Sequence, residues 1–414
     1  MINRPQYLKE LWSFKDTDLI KIVTGVRRSG KSTLFDLYKR ELLQSGITEN
    51  QIQVIKLEEL ENESLLDYKK LYQHIIDNLV PDQQNYVFLD EIQNVPDFQK
   101  AVRSLFEKGN IDLYLTGSNS KLQSGQWATS LSGRYVEIKM FPLSFKEFYT
   151  IYSEEAKQNP DKIYEDYLAY SSFPYATHFV KQSTKDVSKQ INTYIEGIFD
   201  TIILRDVMEN AGFNEESRLR RVIKFMASCI GSEISVKKIS DTMSSDGIKI
   251  YPATIERYLD GFENAHVLYQ ADRYDVKGKK ILKTLNKFYL VDMGIRQHLL
   301  GNKDKDDGHI LENIVYLELL RRGYTVYVGK VESKGKDGKA KTLEVDFVAE
   351  NENGVEYYQI SNTVLDSNVL QRELSPLESI RDHNPKFILT RDYGKTDYNG
   401  IKRLNVLEWL LADY

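Results

Sequence analysis

Cysteine is almost absent from this sequence of 414 residues, in which Cys229 is the single example. One cysteine excludes an intramolecular disulfide bond and agrees with a reducing compartment. Long apolar runs are missing as well, since no stretch approaches the roughly 20 residues that span a bilayer. The first residues, Met-Ile-Asn-Arg-Pro-Gln, lack the apolar core of a signal peptide. These absences predict a cytoplasmic protein without a membrane segment.

An excess of positive charge is also missing. The sequence has 56 Lys and Arg against 61 Asp and Glu, which gives a formal net charge of −5. Bulk charge therefore provides no attraction to nucleic acid, and any such contact requires a local basic patch. Hydrophobic residues make up 41% and charged residues 28% of the chain, as in soluble globular proteins, and the length allows two or three domains.

A glycine-containing loop between an apolar strand and an amphipathic helix is the most informative stretch. Gly25-Val-Arg-Arg-Ser-Gly-Lys-Ser32 completes the pattern G-x-x-x-x-G-K-[ST]. Glycine removes the Cβ atoms that would keep backbone N–H groups away from a triphosphate, and the following helix adds its positive dipole end. We predict an ATP site in which Lys31 contacts the β- and γ-phosphates and Ser32 contacts Mg²⁺. The predicted nucleotide-binding residues are Gly25, Arg27, Arg28, Ser29, Gly30, Lys31, Ser32 and Thr33.

Acidic and polar residues follow two further apolar runs. Asp90 and Glu91 follow the run 86–89, at the strand end where open α/β sheets bind ligands. We predict that Asp90 ligates Mg²⁺ and that Glu91 deprotonates the attacking water; an acidic helix N-terminus is the alternative. Ser118 and Asn119 follow the strand 111–115 and are expected at the γ-phosphate, unless they form only a turn.

Arg134 precedes the predicted strand 135–139. It is a candidate for stabilising charge in the transition state, in its own subunit or in a neighbouring one. A structural ion pair is the alternative.

The order of predicted elements divides the chain into four parts. Strands alternate with helices over the first 140 residues, which predicts a parallel sheet with helices on both faces. A mostly helical lid follows, and then three helices with a basic hairpin indicate a winged helix-turn-helix. The last part has a helix at 308–322 and several strands. The predicted domains are residues 1–150, 151–213, 214–286 and 287–414.

Several motifs together resemble a family of bacterial and archaeal AAA+-type ATPases with a C-terminal domain of uncharacterised function. Besides the glycine loop, they include Val87-Phe-Leu-Asp-Glu-Ile92, Leu115-Thr-Gly-Ser-Asn119, Ser132-Gly-Arg134 and Pro142-Leu-Ser-Phe-Lys-Glu147. The likeness extends to Arg205-Asp206, Leu311-Glu-Asn313 and Glu344-Val-Asp-Phe347. The resemblance implies an α/β fold: a P-loop ATPase core, a winged-helix middle and a restriction-endonuclease-like C-terminal domain.

The C-terminal domain departs from the nuclease pattern that this resemblance implies. Such a site needs a helix Glu, a strand Asp and then Glu-x-Lys, to hold metal ions and assist the attacking water. Glu312 and Asp346 fit the first two places, but Gln359 and Ser361 stand where the acid and the lysine belong. We therefore predict a vestigial site made of Glu312, Asp346 and Gln359. Lys341, which precedes Asp346, is the nearest basic candidate in the sequence for the role of the missing lysine.

Three uses of an ATP cycle remain open at this point. The cycle could switch the winged-helix and nuclease-like module on DNA, gate a protein partner without nucleic acid, or control a nuclease. DNA contact would rest on basic residues of the middle region, with acidic residues interspersed among them. A homo-oligomer is required if Arg134 acts on a neighbour. The basic residues are Arg218, Arg220, Arg221, Lys224, Lys237, Lys238, Lys277, Lys279, Lys280 and Lys283.

Overall fold

The computed structural model describes most of the chain as two compact units. The described residues are 2–118, 131, 133–153, 159–181, 186–209, 215–301, 306–334 and 340–413. One unit comprises Met1–Pro142 and Asn264–His266, and the other comprises Leu143–Glu263 and Val267–Tyr414. Among the described residues, no helix is both long enough and apolar enough to cross a membrane.

The first unit is built on a five-stranded parallel sheet with the strand order β2-β3-β4-β1-β5. Its strands and helices alternate along the chain, as the sequence predicts, and the α/β fold with a parallel sheet is confirmed. The elements are α1 (Pro5–Ser13), β1 (Ile20–Thr24), α2 (Lys31–Gln44), β2 (Ile52–Lys56), α3 (Tyr68–Asp77), β3 (Asn85–Asp90), α4 (Phe98–Phe106), β4 (Ile111–Gly117) and β5 (Tyr135–Lys139).

Side chains of the central strands alternate between two apolar cores, one on each face of this sheet. Val23, Phe88 and Tyr114 pack with α1 and α2, whereas Ile22 and Leu89 pack with α3 and α4. Burial on both faces explains the nearly continuous apolar runs of these strands. The parallel register pairs Thr24 with Gly117 and Lys56 with Asp90, so the loops that follow β1, β3 and β4 emerge at the same edge.

One predicted helix of this unit begins later than its apolar period indicates. Residues 65–79 read as one helix, but the structure has a 3₁₀ segment at Leu60–Leu66 before α3 begins at Tyr68. Asp67 separates them in an extended conformation, and its carboxylate accepts hydrogen bonds from the backbone N–H groups of Lys69 and Lys70. This N-cap makes the helix start at Tyr68.

The second unit begins with helices. Asp292 joins two of its segments, because its carboxylate accepts hydrogen bonds from the N–H and hydroxyl of Ser172, both at 2.6 Å. The helices are α5 (Phe145–Ser153), α6 (Pro160–Tyr170), α7 (Ala176–Lys181), α8 (Val187–Thr201), which continues as a π-helix (Ile202–Glu209), α9 (Glu216–Ser228), α10 (Val236–Ser245) and α11 (Pro252–Asn264).

The remaining chain forms an eight-stranded mixed sheet with the order β12-β13-β11-β10-β9-β8-β6-β7. Its elements are β6 (Leu268–Asp275), β7 (Lys280–Leu290), α12 (Met293–Leu300), α13 (Asp307–Arg321), β8 (Thr325–Lys334), β9 (Ala340–Asn351), β10 (Gly354–Ser361), α14 (Ser367–Glu378), β11 (Lys386–Thr390), β12 (Thr396–Tyr398), β13 (Ile401–Asn405) and α15 (Val406–Leu411).

The predicted basic hairpin lies at the edge of this sheet. Strands β6 and β7 pair with each other antiparallel, and β6 also pairs parallel with β8. The sequence predicts that the second strand of the hairpin covers residues 280–285, but in the structure it continues to Leu290. The expected boundary between residues 286 and 287 therefore falls inside β7. The division into four domains stays a prediction.

Candidate nucleotide site and C-terminal cleft

The glycine loop runs from the end of β1 to the first turn of α2, and two backbone positions determine its shape. Gly25 has φ 144°, and a Cβ atom there would lie 2.1 Å from the carbonyl oxygen of Met140. Gly30 has φ 104° directly before α2 begins at Lys31. Both conformations are ones that glycine adopts without penalty. The sequence therefore folds this segment into a close turn with the helix N-terminus at its end.

Lys31 lies buried inside this turn. Its ammonium donates to the carbonyl oxygens of Gly25 at 3.0 Å and Val26 at 3.3 Å, and it lies 3.7 Å from Glu91 Oε1. The hydroxyl of Ser29 is buried and has no hydrogen-bond partner. An unpaired buried hydroxyl beside an ammonium group and a helix N-terminus suits an incoming phosphate oxygen. These residues therefore fit the triphosphate of ATP.

Asp90 is the last residue of β3, and Glu91 follows it directly. Thr116 joins them to β4, since its hydroxyl donates to Asp90 Oδ1 at 2.5 Å and accepts from the N–H of Glu91 at 2.8 Å. The hydroxyl of Ser32 also hydrogen-bonds to Asp90. Asp90 and Ser32 are thus adjacent oxygen donors, and carboxylate and hydroxyl oxygens are ligands that suit Mg²⁺.

The two neighbouring carboxyl groups have pKa shifts in opposite directions. Burial raises the pKa of Asp90 above its ordinary value, although the hydroxyls of Thr116 and Ser32 oppose the shift. Burial would also raise the pKa of Glu91, but the charge of Lys31 and a hydrogen bond from Gln93 bring it below its ordinary value. Glu91 is therefore an ionised, nearly buried carboxylate at neutral pH.

The remaining predicted residues of the first unit lie at different distances from this centre. Ser118 lies at the site, because Gln93 Nε2 donates to its hydroxyl at 3.4 Å and also donates to Glu91. Arg27 Nη1 lies 3.0 Å from Glu58 Oε1. Arg28 and Thr33 are exposed, and Arg28 has a positive φ of 69°. Asn119 lies outside the described residues.

Arg134 is not brought to the glycine loop. Its carbonyl accepts a hydrogen bond from Ile20, the first residue of β1, at 2.8 Å, so it lies at the edge opposite the loop. Its guanidinium is partly exposed, 3.8 Å from Glu107 Oε1 and over the ring of Phe106. Five residues of β1 separate the two edges by about 13 Å. The placement disfavours action on the nucleotide of its own subunit and leaves action on a neighbour as a prediction.

Three residues near the nucleotide site were not predicted as site residues. Arg4 is buried and donates to the carbonyl oxygens of Ser29 at 3.2 Å and Phe141 at 2.8 Å, which ties the glycine loop to the chain after β5. Thr116 and Gln93 hold the two acidic residues. Thr116 follows an apolar run directly and belongs to the motif Leu115-Thr-Gly-Ser-Asn119, and these two signals could have pointed to it. Arg4 and Gln93 have none.

In the second unit, the predicted vestigial residues line one cleft of about 400 Å³. Glu312 comes from α13, Asp346 from β9 and Gln359 from β10, and all three are buried. The N–H of Ile360 donates to Asp346 Oδ2 at 2.7 Å, and Gln359 Oε1 accepts from the N–H of Asp346 at 3.4 Å. Ser361 donates to the carbonyl of Thr363 at 3.0 Å.

A lysine that the sequence reading did not single out lies in this cluster. Lys287 of β7 has its ammonium 3.0 Å from Glu312 Oε1 and 2.7 Å from Glu344 Oε1. Burial would lower the pKa of Lys287, but Glu312, Asp346 and Glu344 raise it above its ordinary value. Burial, and then the charge of Glu312, raises the pKa of Asp346. Lys341, by contrast, is exposed on β9.

The basic residues of the middle region are partly neutralised by their neighbours. Arg218 Nη1 lies 2.7 Å from Glu215 Oε2. Arg220 contacts Asp200 at 2.7 Å and Glu216 at 2.6 Å. These pairs weaken the positive field that a phosphate backbone requires. DNA contact through this region stays a prediction.

Known proteins match this chain along nearly its whole length. Residues 17–149 match the family described as an AAA domain, and residues 161–306 match a domain of unknown function, DUF8612. An uncharacterized protein of Haemophilus influenzae is 40% identical over 415 residues, which are 99% of each chain. The chain belongs to this family of AAA-domain proteins. An uncharacterized protein of Methanocaldococcus jannaschii is 31% identical over 88% of this chain and 79% of its own.

A solved structure supports the same fold. The Walker-type ATPase of Pyrococcus abyssi aligns with a TM-score of 0.51 and 14% sequence identity, over 72% of this chain and 96% of the other. At that identity the likeness establishes the fold alone. Together with the AAA-domain match, it confirms the predicted resemblance and identifies the protein as P-loop ATPase-like.

Proposed function

We propose that the first unit binds Mg²⁺-ATP and hydrolyses it with the residues around Lys31. The observation that carries the proposal is the 3.7 Å separation of Lys31 Nζ and Glu91 Oε1, beside the contact between Ser32 and Asp90. A phosphate-binding cation, a metal-ligand pair and an ionised carboxylate thus meet at the loop end of one parallel sheet, where such sheets bind ligands.

Binding would exchange the contacts of Lys31. Its ammonium makes hydrogen bonds to two neutral carbonyl oxygens, and the β- and γ-phosphate oxygens are stronger partners because they are charged. Ser32 and Asp90 would hold Mg²⁺, which neutralises charge on the phosphates when it is bound. Ser29 would donate its unpaired hydroxyl to a phosphate oxygen.

Hydrolysis requires a base that is ionised and held in place. Glu91 meets the first condition because Lys31 and Gln93 lower its pKa. It meets the second because Thr116 binds its N–H and Gln93 donates to its carboxylate. We assign Glu91 as the group that takes the proton from the attacking water. Ser118 lies beside it, and Asn119 is proposed at the same position from the sequence alone.

Replacement of Lys31 tests the assignment directly. Lys31→Ala should abolish turnover and weaken ATP binding, because it removes the buried charge that faces the phosphates, while the apolar core stays intact. Lys39→Ala is the matched control, since Lys39 lies on the same helix and pairs with Glu49 in solvent. Phosphate release and ATP binding are measured for both. Activity in Lys31→Ala equal to that of Lys39→Ala would contradict the proposal.

The use of the ATP cycle is a separate part of the proposal. We infer that the nucleotide state of the first unit switches the second unit, on DNA or on a protein partner. Phosphate contacts predict a steep fall of DNA affinity with salt, whereas a protein switch predicts no specific DNA binding. The ATPase rate with and without duplex and single-stranded DNA, at several salt concentrations, separates the two.

A further inference from the structure

The ammonium of Lys287 is buried against two of the carboxylates that line the cleft in the second unit. Lys287 is 3% exposed and contacts one oxygen of Glu312 at 3.0 Å and one of Glu344 at 2.7 Å. These partners come from β7, α13 and β9, so a single side chain joins three elements. A buried lysine with two carboxylates at hydrogen-bond distance is a fixed positive charge.

Uncharged groups around this cluster supply further hydrogen bonds to its carboxylates. Glu312 Oε1 also accepts a hydrogen bond from the hydroxyl of Tyr289 at 2.6 Å. Asp346 Oδ2 accepts from the backbone of Ile360. Gln359, which lies beside Asp346, carries no charge. Glu312, Glu344 and Asp346 therefore each accept a hydrogen bond from a group of the protein.

A divalent ion at this place would need the same oxygen atoms. Carboxylate and carbonyl oxygens are the ligands that Mg²⁺, Mn²⁺ and Ca²⁺ prefer, and Glu312, Glu344 and Asp346 would supply them. An ion between them would displace the ammonium from Glu312 and Glu344 and would lie close to another positive charge. Over the described part of the chain, no three acidic, histidine or cysteine side chains are placed so that they could hold a metal ion.

We propose that Lys287 is the permanent cation of this cleft, holding the place of a divalent metal ion among Glu312, Glu344 and Asp346. The cleft then binds no divalent metal while Lys287 is present. Replacing the lysine with an uncharged side chain frees Glu312 and Glu344 from the ammonium, so that they can turn with Asp346 onto a metal ion. The proposal concerns the second unit alone and holds whether or not the first unit hydrolyses ATP.

Terbium luminescence tests the proposal, because Tyr289 lies next to Glu312 and sensitises a lanthanide bound there. The full chain is titrated with Tb³⁺ without nucleotide, and each emission is compared with that of the same protein carrying Asp346→Asn. The wild type should give no emission that depends on Asp346. Lys287→Met should give emission that depends on Asp346 and is displaced by Mn²⁺ or Ca²⁺, at about one ion per chain.

Two control variants separate charge from packing. Lys287→Arg keeps the positive charge and should behave as the wild type. Lys341→Met removes an exposed lysine of β9 and should also leave the emission unchanged. Circular dichroism checks that each variant is folded, and Lys287→Gln, which keeps hydrogen-bond donors for the two carboxylates, replaces Lys287→Met if the latter does not fold.

Two results would overturn the proposal. One is emission from the wild type that disappears in Asp346→Asn, which would make Lys287 part of a working metal site. The other is a folded, lysine-free variant that still gives no emission dependent on Asp346.

Discussion

Glu91→Gln is the substitution that separates ATP binding from hydrolysis. The change keeps the size of the side chain and removes its charge. The carboxylate of Glu91 lies 3.7 Å from Lys31 and hydrogen-bonds with Gln93 and Ser118, and an amide oxygen can still accept from Gln93. Ser32 and Asp90 are untouched, so the variant retains the residues proposed to hold the metal and the phosphates.

The rate effect follows from the assigned role. Loss of a general base lowers turnover by about 10²-fold or more. Phosphate release at saturating ATP should fall by at least that factor in Glu91→Gln, while the dissociation constant for ATP stays the same or decreases. Because the pKa of Glu91 lies below its ordinary value, its ionisation should not limit the wild-type rate between pH 6 and 8.

The effect of Glu91→Gln on stability should depend on whether ATP is bound. Breaking a buried ion pair costs about 3–5 kcal/mol when the remaining charge has no other partner. Lys31 retains two carbonyl contacts, so we expect a loss of about 1–3 kcal/mol without nucleotide. Phosphate groups would give Lys31 a new anionic partner. ATP should therefore raise the melting temperature of Glu91→Gln more than that of the wild type.

Glu59→Gln is the matched control for both measurements. It makes the same chemical change on an exposed residue after β2, where the contact with Lys56 is 4.0 Å long. It should alter neither rate nor stability measurably. If Glu91→Gln hydrolyses ATP within a few-fold of Glu59→Gln, Glu91 is only an acidic residue at a helix start and the proposed base is wrong.

Three further predictions concern other parts of the chain. Because Arg134 lies at the edge opposite the loop, an Arg134→Ala chain mixed with a Lys31→Ala chain should regain ATPase activity at hybrid interfaces; no rescue, together with a rate per subunit that does not depend on concentration, would exclude action on a neighbour. Burial, and then the charges of Lys31 and Lys139, lower the pKa of His266 to about 3. The unfolded chain binds a proton below pH 6.5 and the folded chain does not, so stability should fall as the pH decreases from 6.5, by about 2 kcal/mol at pH 5. Urea unfolding at several pH values gives the free energy of unfolding as a function of pH, and this free energy should fall less steeply below pH 6.5 in His266→Gln. An equally steep fall would show that His266 is not the cause. Linear, supercoiled and single-stranded DNA should stay intact with Mg²⁺ or Mn²⁺, with and without ATP, whereas cleavage that disappears in Asp346→Ala would contradict the reading of the C-terminal cleft.

The nucleotide site was predictable because its chemistry is local. Lys31 and Ser32 belong to one short pattern, and Asp90 follows a run of buried residues that had to be a central strand. Parallel pairing then brings the ends of β1, β3 and β4 together. The same rule predicts the position of Arg134, because a residue that precedes a strand of a parallel sheet lies at the edge opposite the ligand.

The C-terminal cluster was predictable only in part, because its contacts are long-range. Lys287 precedes Glu312 by 25 residues and Glu344 by 57, with no spacing rule that links them. It belongs to β7, whose pairing with β6 agrees with the predicted hairpin but whose place at the edge of an eight-stranded sheet does not follow from its composition. Strands β12 and β13 and helix α15 are too short to give a periodic signal. The buried cation of this cluster is therefore a residue that a linear motif cannot contain.

The two lysines explain why one unit is suited to an anionic ligand and the other is not. Among the described residues, Lys31 makes hydrogen bonds to neutral carbonyl oxygens, and the carboxylate of Glu91 lies 3.7 Å away. A phosphate oxygen is a better partner than a carbonyl, so the exchange is favourable. Lys287 already has two carboxylates within 3.0 Å. An incoming phosphate would have to replace one of them and leave it buried without a counter-charge, which costs more than the new contact returns. A lysine alone does not determine whether a phosphate binds, because the number and charge of the groups around its ammonium also matter. These groups favour ATP in the first unit and disfavour a phosphate ligand in the cleft of the second.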